Sequence, residues 1–222
     1  MVTLTLALFD VDGTLVDSQV HILAAMARTF EGQGMDAPNR DAMLGIVGLS
    51  LDVAFLKLCP DAPMPQRSAM VDGYKQAFRD LRSEIPKSPL YPGAADCLAQ
   101  LAARDDIVLG VATGKSRRGL DHILDSHDLR GLFVTTQVAD DHPSKPHPSM
   151  ALAALADSGA DRGVMIGDTT FDMDMGHAAG LKTLGVTWGY HARAALDGTA
   201  DAVVNDFADV PTTLNTFWSD HG

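Results

Sequence analysis

The chain has only two cysteines in 222 residues, Cys59 and Cys97, and neither sits in a Cys-x-x-Cys pair. A disulfide scaffold is thereby excluded, and reduced, buried thiols are expected. Asp, Gly or Arg interrupts every apolar stretch before it reaches the roughly 18 residues that a transmembrane helix needs. The opening MVTLTLALFD lacks a basic segment and a small-residue cleavage site, so no export leader is read there and a cytoplasmic location is expected. Basic residues are scarce: 17 Lys and Arg stand against 29 Asp and Glu, a net charge of −12. Such a field disfavours nucleic acid or an anionic membrane as partner. It also means that any anionic substrate needs cations concentrated locally. No internal repeat or low-complexity tract breaks the chain.

What is present is an ordinary globular composition, 46% hydrophobic and 21% charged, with enough length for a sizeable core. Residues 2–9 are β-branched and leucine-rich and read as a buried strand. Residues 18–31 carry apolar side chains at helical spacing, with Ser18 as the expected N-cap and Gly32 as the stop. Two more helices are expected at 50–59 and 66–83, with no strand between them. Beyond the Pro-rich segment 86–92 the pattern alternates. Helices are read at 94–103, 116–126, 148–157, 171–179 and 207–217, and strands at 107–112, 132–138, 163–167, 182–188 and 202–204. Alternating strands and helices imply a parallel sheet covered on both faces. The expected fold is therefore α/β, a Rossmann-like parallel core formed by residues 1–15 and 87–222. An α-helical cap, residues 16–86, is inserted after the first strand.

In an open parallel sheet ligands bind beyond the carboxyl ends of the strands. The first predicted strand ends in Asp10-Val11-Asp12-Gly13-Thr14, and the second in Thr113-Gly114-Lys115. A Pro-rich loop after the third carries Lys145-Pro146, and the fourth ends in Asp168, with Asp172 four residues on. Carboxylates, a hydroxyl and an ammonium thus meet on one edge. That set suits phosphoryl transfer. A carboxylate can attack phosphorus and split one hard displacement into two easier ones. Mg2+ can hold neighbouring carboxylates and a phosphate oxygen together. Lys and Thr can hold the remaining phosphate oxygens.

The segment Asp10-Val11-Asp12-Gly13-Thr14-Leu15-Val16-Asp17-Ser18 resembles motif I of the haloacid dehalogenase-like superfamily. Thr113 resembles its motif II, Lys145-Pro146 its motif III, and Gly167-Asp168-Thr169-Thr170-Phe171-Asp172 its motif IV, in the family's order and with its helical cap after motif I. The pattern is similar to the subgroup that holds phosphoglycolate phosphatase, pyrophosphatases and β-phosphoglucomutase. The resemblance implies Asp10 as nucleophile and Mg2+ ligand. It implies Asp12 as general acid and base and as a ligand through its backbone carbonyl. Thr113, Gly114 and Lys145 would bind the phosphoryl group, and Lys145 would also orient Asp10. Asp168 would be a metal ligand, Asp172 would support the metal site, and Thr14 would order the loop. Asp12 disfavours a halide leaving group, because the dehalogenases of the superfamily lack an acid there.

The expected function is then a Mg2+-dependent phosphatase acting on a small phosphorylated metabolite, phosphoglycolate first, in a monomer or homodimer. A phosphomutase or pyrophosphatase of the same superfamily is the alternative. From a different class, a phospho-acceptor signalling module also groups acids, Thr and Lys around an Asp, but its Asp follows a middle strand of the chain. Cap residues expected to set specificity are the Gly-rich segment 45–50, Lys57, Tyr74, Lys75 and Arg79. His142 and His147 lack a third His or Cys and read as loop residues rather than a zinc set. Met165, Met173 and Met175 read as core packing.

Overall fold

The computed structural model describes residues 3–218. Its sheet has six parallel strands: β1 (Thr5–Phe9), β2 (Ile107–Thr113), β3 (Phe133–Val138), β4 (Arg162–Gly167), β5 (Lys182–Val186) and β6 (Ala202–Val204). They lie in the order β3-β2-β1-β4-β5-β6. Val2 and the segment 219–222 lie outside the described residues; β1 starts at Thr5. Strand β1 is central, paired along its whole length with Ile107–Val111 on one side and Arg162–Ile166 on the other. Burial of all five β1 side chains follows from that position, and explains a continuous apolar run rather than an alternating one. The strand order reverses beside β1, which opens a crevice at its carboxyl end.

The two faces of the sheet support separate packing layers. Ala7, Phe9, Val111 and Ile166 pack with Leu98, Leu101, Leu120 and Phe207 on one face. Leu6, Leu8, Ala112 and Met165 pack with Met150, Ala154 and Met175 on the other. The covering helices are α5 (Ala94–Ala102), α6 (Arg117–Ser126), α7 (Ser149–Ser158), α8 (Thr170–Ala178), α9 (Arg193–Asp197) and α10 (Val210–Thr216).

Between β1 and α5 the chain forms four helices, α1 (Gln19–Gly32), α2 (Arg40–Leu44), α3 (Leu51–Leu58) and α4 (Met64–Glu84). These have their own core, in which Met26, Phe30, Phe55 and Met70 are almost completely buried. Phe55 stands between Phe30 and Tyr74, with ring centroids 6.3 Å from each.

Several sequence expectations need correction. The short helices α2 and α9 are absent from the periodicity reading, because five residues cannot display a helical repeat. The closing helix 207–217 is a 3-10 turn, Phe207–Asp209, followed by α10. Ser18 occupies the N-cap position of α1 but makes no capping hydrogen bond; its hydroxyl is committed to Asp12 instead. Helix α1 includes Gly32, and the left-handed residue that turns the chain is Gly34, at φ 65°.

Because the cap core is packed around Phe55, Phe55→Ala is expected to remove about 3–5 kcal/mol of stability in urea unfolding followed by far-UV circular dichroism. A loss below about 1 kcal/mol would contradict a tightly packed cap.

Candidate active site

Strand ends β1, β2 and β4 bring Asp10, Thr113 and Asp168 to one edge, and the loop after β3 adds Lys145. At the centre is the Lys145 ammonium, fully buried, 2.7 Å from Asp10 Oδ1 and 2.6 Å from Asp172 Oδ1. Asp172 is held at the start of α8 by a reciprocal cap: Thr169 Oγ1 and N–H donate to Asp172 Oδ2 at 2.7 and 3.1 Å. Asp168 Oδ1 accepts from Thr14 Oγ1 at 2.9 Å and Asp168 Oδ2 from the Tyr190 N–H at 2.8 Å. One oxygen in this group, Asp10 Oδ2, is buried without any hydrogen-bond donor. Carboxylate oxygens of Asp10, Asp168 and Asp172 lie within 4.8 Å of one another.

The electrostatics follow from burial. Asp10 is pushed up from 3.8 to about 7 by desolvation, with the charges of Asp172 and Asp12 adding and Lys145 opposing. Asp168 rises well above the carboxylate range for the same main reason, with Asp172 and Asp10 adding. Burial opposes the charge on Lys145, yet Asp10 and Asp172 outweigh it and hold the ammonium above its ordinary value. A buried, donorless carboxylate oxygen beside two further buried carboxylates is costly unless a cation meets it. The donor set is all oxygen, which matches a hard divalent ion such as Mg2+.

Asp12 points into the adjacent cleft. Lys115 Nζ donates to both Asp12 oxygens at 2.8 Å, and the Ser18 hydroxyl also donates to Asp12. The sequence alone assigns Lys115 no role. Its signal was its place two residues after Thr113, at a strand end that already pointed to the site. Tyr190 is a second omission: its hydroxyl is 3.2 Å from Ser18 Oγ and its backbone holds Asp168. Gly13 adopts φ 86°, and a Cβ there would run into the Asp168 carboxylate and the Tyr190 ring. Only glycine therefore fits that turn.

The cleft encloses a cavity of about 280 Å³. Asp10, Asp12, Thr113 and Gly114 form its floor, while Lys145 and Asp168 are not on its walls. The cap supplies the roof, including Ile46 to Leu49 from the Gly-rich segment and Tyr74, Lys75 and Arg79 from α4. Lys57 is not on the wall; its ammonium rests 4.6 Å from the Phe171 ring centroid. The roof is fastened to the core. The Ser50 N–H donates to Ser144 Oγ at 2.9 Å, and Phe171 and Tyr190 of the core pack against the cap cluster. Ser144, the residue before Lys145, is thus a cap contact. At Gly114 a Cβ would stand 2.6 Å from the Gly48 carbonyl, so the absence of a side chain lets the cap segment close on the floor. His142 bonds Ser149 at the start of α7 and Gln137 in β3, and Met165, Met173 and Met175 are completely buried in the core.

Comparison with known proteins agrees with this architecture. The family model described as haloacid dehalogenase-like hydrolase matches residues 7–186. A protein of Dickeya dadantii named "Probable phosphatase IndB" is 35% identical over 92% of this chain and 91% of its own. A "Phosphoglycolate phosphatase" of Agrobacterium fabrum is 28% identical over 94% and 91%, and a "Pyrophosphatase PpaX" of Bacillus pumilus 32% identical over 87% and 88%. A haloacid dehalogenase-like family hydrolase from Streptococcus pneumoniae superposes with a TM-score of 0.83 at 25% identity, covering 96% of this chain and 100% of that one. The chain belongs to the haloacid dehalogenase-like hydrolase family, and it is an enzyme of its phosphatase type. No helix among the described residues is long and apolar enough to cross a membrane.

The folded protein holds the Asp10 proton to about pH 7, whereas an ordinary carboxyl releases it near 3.8. The stability linked to that proton is full below about pH 4 and is lost as pH rises through 7. In metal-free buffer Asp10→Asn, which cannot ionise, should therefore gain stability relative to wild type between about pH 4 and 8, on the order of a few kcal/mol. Urea titrations of both proteins at several pH values measure the difference; a difference that shrinks as pH rises would count against the burial effect.

Proposed function

We propose that the protein is a Mg2+-dependent phosphatase that hydrolyses a small phosphomonoester through an aspartyl phosphate on Asp10. The observation that carries this reading is the donorless Asp10 Oδ2 inside a buried group of three carboxylates, beside a cleft that Asp12 enters. Residues 1–15 and 87–222 act as the catalytic core, and 16–86 as the cap that excludes water. Asp10, Asp168 and the backbone carbonyl of Asp12 would hold Mg2+, with Asp172 in support. The bound ion supplies positive charge against the substrate phosphate.

The Asp10 carboxylate attacks phosphorus, an Asp10–phosphorus bond forms, and the bond to the ester oxygen breaks. Asp12 gives a proton to the departing oxygen. A water then attacks phosphorus, Asp12 takes its proton, and the Asp10–phosphorus bond breaks to release inorganic phosphate. Thr113, the Gly114 backbone and Lys145 hold the phosphoryl oxygens in transit. Lys145 also fixes the Asp10 carboxylate, and Thr14 fixes Asp168. Phosphate oxygens entering the cleft compete for Lys115, which releases Asp12 from its present ion pair to carry the proton.

Phosphoglycolate is the first substrate to test, since a relative bears that name; a pyrophosphatase of the same family is the alternative that another relative's name supports. The location is taken as cytoplasmic, and the working state as a monomer or homodimer.

Phosphate release from phosphoglycolate, sugar phosphates, pyrophosphate and p-nitrophenyl phosphate should require Mg2+. Asp10→Asn should lower kcat by about a thousandfold or more, and Asp12→Asn by a similar amount. Release that persists in Asp10→Asn would overturn the covalent route.

A further inference from the structure

The chemistry at Asp10 accounts for the floor of the cleft and leaves a group of cations on its wall without a task. Helix α4 lines the cavity with Lys75, Arg79 and Arg82, spaced so that they share one helical face. Arg118, in the first turn of α6, lines it from the core. The chain as a whole carries a net charge of −12. Among the described residues none of these four cations forms an ion pair. Arg79 donates to the neutral Gln76 amide, and the buried Nε of Arg82 has no acceptor. By contrast Arg28, Arg104, Arg130 and Arg193 are paired, with Glu84, Asp106, Asp125 and Asp197. Asp140, a carboxylate on the same wall, already accepts the Arg117 N–H at 2.7 Å.

The crowding is felt electrostatically. Burial, and then the neighbouring charges of Arg118 and Arg79, hold the Arg82 guanidinium below its usual value. Burial likewise lowers His122, with Arg82 and Lys115 adding. Like charges gathered in a partly desolvated cleft repel one another unless an anion joins them. Apolar side chains also line this cavity. Phe78 lies 5.2 Å from Lys115 Nζ and 5.9 Å from Arg82 Cζ by its ring centroid. Ile22, Val47, Leu49 and Leu51 line it as well. Apolar walls with a few fixed charges select a ligand with an apolar body and charged ends.

We propose that Arg79, Arg82 and Arg118, with Lys75, form a second anion subsite. The substrate is then a phosphomonoester whose apolar body carries another anionic group, carboxylate or phosphate, remote from the transferred phosphoryl. Its hydrolysis rests on the phosphatase reading above; its binding does not. Guanidinium groups suit either anion, because their paired N–H donors match two oxygens.

Three matched esters test the subsite: phenyl phosphate, 4-carboxyphenyl phosphate and 1,4-phenylene bisphosphate. Wild-type kcat/KM should favour at least one doubly anionic ester over phenyl phosphate by about tenfold or more, chiefly through KM, as one charged hydrogen bond implies. The arm that wins distinguishes carboxylate from phosphate. In Arg82→Gln and Arg118→Gln that preference should fall towards unity, and Arg82→Lys should keep part of it. Equal kcat/KM for all three esters, or a preference untouched by these substitutions, overturns the subsite while leaving the phosphatase reading intact. If no ester is hydrolysed, the phosphatase reading fails, and calorimetric binding to Asp10→Asn still decides the subsite. Tighter binding of a doubly anionic ester, lost in Asp10→Asn/Arg82→Gln, supports it; equal binding of all three overturns it.

Discussion

The Lys145 ammonium, buried and shared between Asp10 and Asp172, is the constraint on which the rest of the site depends. Three segments far apart in sequence, the end of β1, the loop after β3 and the start of α8, converge on one nitrogen. Without it two carboxylates would face each other in a dry interior, a cost of several kcal/mol per charge. With it each carboxylate gains a fixed orientation. Asp172 spends its other oxygen on the α8 cap, and Asp10 alone keeps an oxygen without a donor. This asymmetry between two carboxylates on the same ammonium is what supports the proposal of Asp10 as the nucleophile.

The sheet makes this convergence possible. Strand β1 is central, so its carboxyl end sits where the strand order reverses and neighbouring strand ends surround it. The cap is built as an independent apolar cluster and touches the core at a few specific points. Ser50 meets Ser144, Phe171 and Tyr190 enter the cap cluster, and Gly114 meets the Gly48 carbonyl. The substrate space is bounded by residues of both units, each of which has its own apolar core. An acidic protein can then receive an anion, because Lys75, Arg79, Arg82 and Arg118, which form no ion pair among the described residues, line the wall of that cleft.

The large elements were legible because their signals are long. Strands β2 to β5 are runs of five to seven residues and helices α1, α3 and α4 carry enough residues to show a period, whereas α2 and α9 do not. Asp10, Asp12, Thr113, Lys145 and Asp168 were legible because each follows a strand or a Pro-rich loop at the same edge. Lys115, Tyr190 and Ser144 were not, because their partners lie about a hundred or more residues away: Asp12, Ser18 and the Ser50 backbone. Ser18 shows the same limit from the other side. Local sequence makes it an N-cap, and a tertiary contact with Asp12 takes its hydroxyl away.

The central claim is that phosphorus is carried on Asp10. It is tested most directly by trapping the intermediate in Asp12→Asn, in which departure of the phosphoryl group to water is slowed. With Mg2+ and an activated ester such as p-nitrophenyl phosphate, rapid acid quenching followed by peptide mass spectrometry should find a hydroxylamine-labile phosphoryl group on Asp10. A phosphoryl group on another residue, or none under conditions where wild type turns over, would contradict the account.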